Sequence, residues 1–372
     1  MALFHKKTAS DESYYLASQW TLMWRKLKKH KLARFSLAIL VILYLGALFA
    51  DFVAPYGLEE FSSLYKNTAP THVYWHDEEG NLSRPYVYKL QKVNDKKTWS
   101  VIVTEDTSEK YYLSFFTEGI EYKLLGFIPC KTHLYGLVNE QGVPDRSARI
   151  NIFGADSTGA DIFSRILFGS RVSLTIPFVS AAISFVLGIL LGGLSGYFGG
   201  WVDNVIMRLL DILQAIPGML LSIAISAALG SGIGNTILAL SIGGIPMTVR
   251  LLRGSILTVR KQEYIEAAEK INCSRLRVIT SHILPNSIAP VIVSVTMGIG
   301  NTILQAASLS YIGLGVQPPT PEWGAMLSEG KAMITKYPHL CIFPGLAIMV
   351  VVLALNMLGD GLRDAMDPKL KN

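Results

Sequence analysis

Hydrophobic residues are gathered into six long blocks, separated by polar intervals of unequal length. The blocks cover residues 35–53, 172–197, 205–229, 233–249, 288–312 and 340–358. A helix needs about 20 apolar residues to cross the roughly 30 Å hydrocarbon core of a bilayer. Because lipid offers backbone amides no hydrogen-bond partner, each block is predicted to be a helix that satisfies its own backbone. The pattern therefore predicts six membrane spans, the first of them at 34–54.

Composition agrees with a membrane protein. Half of the 372 residues are hydrophobic and 17% are charged, and the mean hydropathy is +0.36, which is too apolar for a chain whose whole surface faces water. The predicted fold class is an all-α polytopic membrane protein. Asp51, Phe52 and Pro55 stand where a cleavable signal would have small residues, so the first block is predicted to remain as an anchor.

A basic cluster directly before the first block predicts the orientation of the chain. The cluster contains Arg25, Lys26, Lys28, Lys29, Lys31 and Arg34, and such clusters stay on the cytoplasmic side. Segment 1–33 is therefore predicted to be cytoplasmic, and after six crossings the tail 364–372 returns to the same side. Beside an apolar block, the cluster indicates contact with the lipid bilayer and not a nucleic-acid partner. The predicted location is the cell (inner) membrane.

The polar interval 55–150 predicts an extracytoplasmic β-rich insertion. Short runs rich in aromatic and β-branched residues, at 86–93, 99–104, 110–116 and 122–128, predict antiparallel strands. Residues 77–81 predict a hairpin turn, and Asn94-Asp95 and Glu118-Gly119 are turn signals. Three interpretations stay open for this insertion: docking a substrate-delivery protein, shielding the pore mouth, or a structural insertion without a function of its own.

The polar stretch between the fourth and fifth blocks, at 260–285, predicts two short helices. Good helix formers predict the first helix over 262–271. Ser274 is the predicted N-cap of a second helix that runs to Pro285. Small Ala267 and Ala268, edged by Glu263, Glu266 and Glu269, suit insertion into a groove of a partner protein. The alternative is an ordinary cytoplasmic loop helix.

This stretch resembles the EAA loop of ABC importer permeases, the coupling element that is seated on the ATPase subunit. Glu266, Ala267, Ala268, Leu284 and Pro285 match its pattern in register, while Asn272 stands where the family has Gly and His282 where the general pattern has Ile. Asn tolerates a left-handed backbone, so Asn272 is expected to make the turn between the helices. The resemblance implies an ATPase-coupling role for Glu263, Glu266, Ala267, Ala268, Asn272, Leu284 and Pro285.

Two further stretches resemble the dipeptide and oligopeptide branch of these permeases, in its C-type subunit. Residues 153–174 are similar to its Gly-Thr-Asp-x-x-Gly-Arg-Asp segment, from which Ala155 and Ala160 depart, and residues 309–324 are similar to the long signature after the fifth span. Asp156 and Asp161 are predicted to cap turns, with a calcium site as the alternative. The Pro-rich end of the signature is predicted to form a rigid turn.

The resemblance implies a type I ABC importer permease fold with a core at 151–363. It implies transport of short peptides, with nickel or another small solute as the alternative cargo. The implied partners are a homologous B-type permease, two ATPase subunits and an extracytoplasmic solute-binding protein. No metal and no cofactor are expected.

Small and polar residues inside the blocks predict packing and a pathway. Ser184, Gly188, Gly192 and Gly196 recur every four residues and predict close approach of another helix. Asn301 and Gln305, also four apart, place two amides on one helix face, where they either line the substrate path or form interhelical hydrogen bonds. Asp211 is predicted to pair with Arg208 one turn away.

The sequence contains no nucleotide-binding Gly-x-x-x-x-Gly-Lys-Ser/Thr loop, no HExxH and no nucleophile elbow. The chain is therefore predicted to be non-catalytic, with ATP hydrolysis in partner subunits. Two other functional classes remain. A membrane receptor or scaffold would use the insertion as a sensor and would have no ATPase partner, and a secondary transporter would depend on an ion gradient.

Overall fold

The computed structural model describes residues 19–77, 79–94 and 101–366. The predicted cytoplasmic segment before residue 19, the start of the strand predicted at 99 and the tail after residue 366 lie outside the described residues. Three helices precede the sheet: α1 (Gln19–Lys29), α2 (Lys31–Leu48) and α3 (Ala50–Val53).

The helical core follows the sheet. Its elements are α4 (Ile162–Phe198), α5 (Gly200–Gln214), α6 (Gly218–Leu229), α7 (Ile233–Val259), α8 (Glu263–Lys270), α9 (Arg275–Arg277), a π-helical turn (Val278–Ile283), α10 (Leu284–Ser287), α11 (Ala289–Tyr311), α12 (Trp323–Gly330), a 3-10 turn (Lys331–Met333) and α13 (His339–Met366). The largest buried cluster joins α2, α4, α11, α12 and α13 and includes Trp323 and Val351.

Within the described residues, five helices are long and apolar enough to cross a membrane: α2, α4, α7, α11 and α13. The third predicted block is instead a pair of helices, α5 and α6, bent by 84° at a short break, which makes up to six spans if the pair counts as one. Pro217 stands at the N-cap of α6. Proline has no backbone N–H to donate to a preceding helical turn, so the helix breaks at Pro217.

Helix α4 begins earlier than the apolar pattern predicts, at Ile162 instead of residue 172. Asp161 caps its first turn, because one carboxylate oxygen accepts from the Ser164 backbone N–H at 2.8 Å. The polar side chains of this extension also have partners: Arg165 pairs with Asp156 and Arg171 pairs with Asp51. Polar residues thus extend the helix beyond its apolar segment.

The small-residue stripe of α4 packs against α7, which confirms the predicted close approach. A Cβ atom added at Gly192 would lie 2.9 Å from the Val249 carbonyl oxygen, and one at Gly196 would lie 2.9 Å from the Ile256 side chain. Ser184 donates to the Ser241 carbonyl oxygen at 2.7 Å. Glycine therefore sets the spacing of these two helices.

The sheet has four antiparallel strands in the order β1-β2-β3-β4. The strands are β1 (Tyr74–His76), β2 (Leu82–Asn94), β3 (Val101–Leu124) and β4 (Ile128–Val138). The hairpin turn predicted at 77–81 is confirmed, since the Asp77 N–H donates to the Asn81 carbonyl at 2.9 Å.

The predicted turn at Glu118-Gly119 is wrong. Both residues lie inside the continuous strand β3, near a register shift. A Cβ atom at Gly119 would lie 2.4 Å from the His133 ring, so the glycine permits close approach of that ring. The strand predicted at 122–128 is also wrong in extent, because the chain turns at Leu125 and Gly126, with φ of 55° and 85°. Ile128 begins β4.

One contact fixes the sheet to the end of the first span, and two hydrogen bonds from Arg171 fix α4 to the same place. The His133 ring nitrogen Nδ1 lies 2.7 Å from the Ala54 carbonyl oxygen. Arg171 donates to the Ala47 carbonyl at 2.7 Å and to the Asp51 carboxylate at 2.6 Å. We call this end of the helical bundle the sheet end, and the opposite end, which carries α8, the loop end.

Candidate functional site

Helix α8 at the loop end has one face buried in its own chain and one face in solvent. Ile265 is 1% exposed and Ala268 is 7% exposed. Glu263, Glu266 and Ala267 are exposed. The two neighbouring alanines therefore differ: Ala268 packs inside this chain, and Ala267 alone offers a small side chain to a partner.

The buried face of α8 contacts elements that precede and follow it in the chain. Its apolar cluster contains Leu252 and Ile256 of α7, Val278 and Ile283 of the π-helical turn, and Val291 of α11. Because close-packed cores transmit displacement between their elements, a movement of α8 is passed to both α7 and α11.

The turn after α8 has the predicted geometry. Asn272 has φ of 61°, the left-handed conformation expected where the related loops have glycine. Ser274 caps α9, since its hydroxyl accepts from the Arg277 N–H at 3.4 Å. These two residues reverse the chain and begin the second helical segment.

The second helical segment differs from the prediction in its geometry. It continues from α9 as the π-helical turn, and the Leu284 N–H donates to the Ile279 carbonyl. Pro285 is exposed at the start of α10, where its missing N–H costs no helical hydrogen bond. Single π-helical turns recur at functional sites, so this segment belongs to the candidate coupling region.

Arginines of α7 tie the loop end together. Arg253 donates two hydrogen bonds of 2.5 Å to Asp203 of α5. Arg260 donates to the Tyr197 carbonyl at 2.8 Å, with its guanidinium 5.5 Å from the ring centre. These contacts link the end of α7, just before α8, to the ends of α4 and α5.

The predicted pair of Asp211 with Arg208 is wrong. Asp211 instead accepts from Arg250 of α7 at 2.5 Å. The positions of Arg250, Arg253 and Arg260 in the sequence agree with cytoplasmic connections, but they do not reveal the partners that these arginines have in the structure. Only their nearness to the coupling stretch in the sequence marked them, and their partners lie on other helices.

The two signature segments meet at the sheet end. Arg165 bonds Asp156 at 2.5 Å and donates two hydrogen bonds to Glu329, of 2.7 and 3.0 Å. Trp323 is buried, and its indole N–H donates to the Ile166 carbonyl at 3.0 Å. The sequence motifs at 153–174 and 309–324 therefore form one cross-bonded unit.

Asp156 and Asp161 both cap backbone turns, as predicted. One oxygen of Asp156 accepts from the Thr158 and Ala160 N–H groups at 2.7 and 3.1 Å. Burial raises the pKa of Asp161 to about 7, against the lowering effect of its Ser164 hydrogen bonds. Among the described residues, no group of three or more His, Cys, Asp or Glu side chains is placed to hold a metal ion.

A cavity of about 240 Å³ lies between α4, α7 and α11. Its polar lining consists of Ser180, Ser184, Thr248, Ser294, Asn301, Thr302 and Gln305. Several of the hydroxyls donate to backbone carbonyls of the helices. In the part of the chain that the structure describes, neither amide side chain has such a partner. Asn301 and Gln305 thus line the same cavity, as their spacing on α11 predicts.

Two family models match the chain. Residues 166–372 match the model described as binding-protein-dependent transport system inner membrane component. Residues 18–70 match the N-terminal TM domain of oligopeptide transport permease C. The four strands lie between the two matched segments.

Relatives named as permeases match 219 residues of the chain. The glutathione transport system permease protein GsiD of Pectobacterium atrosepticum is 50% identical over 219 residues, 59% of this chain and 73% of the relative. The GsiD protein of Escherichia coli O6:K15:H31 is 52% identical over 219 residues, 59% of this chain and 72% of the relative. A chain of the inward-facing MetNI methionine ABC transporter is 16% identical, with a TM-score of 0.45, over 54% of this chain and 96% of that chain.

The two family models and the GsiD relatives confirm the predicted resemblance to importer permeases. The relatives are named as permeases, so ATP hydrolysis belongs to partner subunits and this chain is non-catalytic. Membership in this type of importer also implies a partner permease, ATPase subunits and a multi-pass position in the inner membrane. Since the first family model covers more than half of the sequence, the chain belongs to the family of binding-protein-dependent transport system inner membrane components, as a permease subunit of an ABC importer.

Proposed function

We propose that this permease carries short peptides, with glutathione as the first candidate, along a path that it forms with a homologous B-type permease. The proposal is supported by the GsiD relatives, which are named as permeases of a glutathione transport system. It is also supported by the cavity lining, in which Asn301 and Gln305 offer both hydrogen-bond donors and acceptors to a peptide backbone. An extracytoplasmic solute-binding protein would deliver the peptide.

The proposed topology has six spans, with α5 and α6 together forming the third. Both termini and the loop end face the cytoplasm, and the insertion 55–150 lies outside. The basic residues of the loop end support this orientation, because Lys and Arg concentrate on the cytoplasmic side of membrane proteins. They include Arg250, Arg253, Arg260, Lys261 and Arg275.

The coupling of this permease to ATP hydrolysis is assigned to α8. Its exposed face, with Glu263, Glu266 and Ala267, contacts an ATPase subunit, while Ile265 and Ala268 anchor it to the bundle. Asn272, Leu284 and Pro285 set the geometry of the returning chain. The single observation that carries this assignment is the division of α8 into one buried face and one solvent face.

The proposed mechanism follows from these attachments. When two ATPase subunits close on ATP, α8 moves with the subunit that holds it. The packed cluster under α8 then tilts α7 and α11, which line the cavity, so that the cavity opens to one side of the membrane and then to the other. The solute is released because the two states expose the same polar lining to different compartments.

The test is ATP hydrolysis by the reconstituted transporter, stimulated by its binding protein. Glu266→Arg is expected to abolish most of the stimulation, because a reversed charge opposes docking on the partner surface. Asp360→Arg is the matched control: Asp360 is another exposed carboxylate toward the loop end, on α13, and its reversal is expected to leave the stimulation intact. Unchanged stimulation in Glu266→Arg would overturn the coupling assignment.

A separate measurement tests the cargo. Uptake of labelled glutathione into proteoliposomes should fall in the double variant Asn301→Leu, Gln305→Leu, while ATP hydrolysis remains coupled to the binding protein. Competition by other short peptides, but not by nickel ions or single amino acids, is expected. Competition by nickel alone would rule out the peptide assignment without affecting the coupling assignment.

A further inference from the structure

The tip of the β3–β4 hairpin is apolar and exposed, which is unusual for a turn. Residues 124–129 read Leu-Leu-Gly-Phe-Ile-Pro. Phe127 is 71% exposed, Ile128 is 44% exposed and Leu125 is 40% exposed. Tight turns normally carry Gly, Asn, Asp and Ser, and a run of exposed apolar residues is a fault in a soluble surface unless it contacts something. We call residues 124–129 the hairpin tip.

The hairpin tip lies beside the first span. A cavity of about 690 Å³ is lined on one side by Lys123, Leu125 and Gly126 and on the other by Tyr44 and Leu48 of α2, together with residues of α4. Tyr44 precedes the last residue of α2 by about 6 Å along the helix axis, at about 1.5 Å per residue. The tip therefore extends past Leu48, the last residue of α2, and lies beside the last turn of this helix.

The helix surface next to the tip is itself apolar and exposed. Tyr44, Leu45 and Leu48 of α2 are large exposed side chains, on a helix long and apolar enough to cross a membrane. A continuous apolar surface of this size on a membrane-spanning helix is covered by lipid or by a partner subunit and not by water. The cavity between the tip and this surface also holds the ion pair of Arg171 with Asp51, which places charged groups at the end of the span, where the headgroups of a bilayer would lie.

Charged and aromatic residues flank the tip in the order expected at a membrane surface. Lys123 and Lys131 are exposed on the two strands above it, and Lys131 pairs with Glu121 at 2.6 Å. Lysine at this depth keeps its ammonium group among headgroups while its alkyl chain lies in apolar surroundings. Phe116, also exposed, lies 6.3 Å from Phe52 at the end of the first span.

We propose that the hairpin tip inserts into the bilayer beside α2 and anchors the sheet to the membrane surface. The ligand is the acyl-chain and headgroup region of ordinary phospholipid, and the inserted residues are Leu125, Phe127, Ile128 and Pro129. This anchoring is independent of the cargo and of the coupling by α8. It holds the sheet at a fixed height and angle over the first two spans.

The test uses the full chain with its partner subunits in nanodiscs of phosphatidylcholine and phosphatidylglycerol. A nitroxide is attached at Phe127→Cys in a background in which Cys130, Cys273 and Cys341 are serine. Val103→Cys is the matched control. Val103 is an exposed apolar residue of β3, the strand that leads to the tip, and it lies at the end of β3 far from the tip. The measurement is the collision rate of each label with oxygen, which concentrates in lipid, and with a water-soluble nickel chelate.

The label at Phe127→Cys is expected to have an oxygen-to-chelate collision ratio severalfold higher than the label at Val103→Cys. Equal ratios at the two sites would overturn the proposal, because the tip would then lie in water. A label shielded from both reagents would also overturn it, since the tip would then be covered by protein. Should the cysteine-free background not assemble, Phe127→Trp in the native background, quenched by brominated lipid more strongly than Val103→Trp, gives the same decision.

Discussion

The Arg165 site at the sheet end and helix α8 at the loop end place their charged residues in opposite environments. At the sheet end, the Arg165 side chain is 13% exposed and is bonded to both Asp156 and Glu329. At the loop end, Glu266 and Lys270 pair at 2.8 Å with side chains 67% and 74% exposed. Exposed pairs on a helix add little stability. The charges around Arg165 therefore hold the chain together, whereas those of α8 remain in solvent, even though the neighbouring arginines of α7 are paired within the chain.

Helix α7 joins the two ends. Its start is fixed at the sheet end, where the Gly232 N–H donates to the Gly315 carbonyl at 3.0 Å. Its end carries Arg253 and Arg260 and leads directly into α8. In the proposed mechanism, a displacement of α8 therefore acts on a helix that is held at its far end, and the expected response of α7 is a tilt and not a translation.

The largest expected effect comes from breaking the sheet-end network. Arg165→Ala leaves the carboxylates of Asp156 and Glu329 without their cation, and removing one partner of a buried ion pair costs about 3–5 kcal/mol. The free energy of unfolding, measured by titration with denaturing detergent, should fall by that amount. Lys131→Ala, which breaks an exposed pair of similar length, is the control and should change stability little. Equal losses in both variants would contradict the contrast between buried and exposed charges.

A pH dependence of stability is expected from Asp161. Its pKa is raised from 3.8 to about 7 by burial, and one of its buried oxygens has no partner in the described part of the chain. The protonated form is therefore favoured by folding. The stability it contributes is present below about pH 4 and is lost as the pH rises through 7, by at most roughly 4 kcal/mol.

Asp161→Asn keeps a capping oxygen and cannot ionise, so it should flatten this pH dependence. The measurement is the unfolding temperature of wild type and variant between pH 4 and 8. A wild-type protein that becomes more stable over this interval, with Asp161→Asn showing the same rise, would show that the carboxylate is not held neutral by its burial.

A smaller effect is expected where α4 meets α7. Gly192→Leu places side-chain atoms against the Val249 carbonyl, and overpacking of this kind costs about 1–3 kcal/mol. Gly193→Leu is the matched control on the next residue, where an added Cβ meets nothing within 4 Å. Gly192→Leu should also uncouple transport from ATP hydrolysis, since α7 links the two ends. Equal stability of the two variants would mean that the helices can separate without cost.

Local features were predictable from the sequence because their causes are local. The turn at Asn272, the cap at Ser274 and the small-residue stripe of α4 each depend on a residue type and a spacing that the sequence displays directly. The approximate positions of the long apolar helices follow from the same kind of evidence.

Features that depend on a distant partner were not predictable. Arg250 takes Asp211 away from Arg208, and no pattern within one helix reveals an arginine on another. Gly119 has the composition of a turn residue, yet His133 on the neighbouring strand explains it. The early start of α4 depends on carboxylates that satisfy its arginines. In each case a tertiary contact determines a feature that the local pattern describes incorrectly.

Two neighbouring alanines give the most direct test of the central claim, that the solvent face of α8 is seated on an ATPase subunit. A photo-crosslinker is attached to Ala267→Cys or to Ala268→Cys, in the assembled transporter with its three native cysteines replaced by serine. Ala267 is exposed, whereas Ala268 is 7% exposed inside this chain. The proposed seating of α8 on an ATPase subunit predicts a crosslink to the ATPase from position 267 and little or none from position 268. An assembled, ATP-hydrolysing complex that gives no ATPase crosslink from position 267 would contradict it.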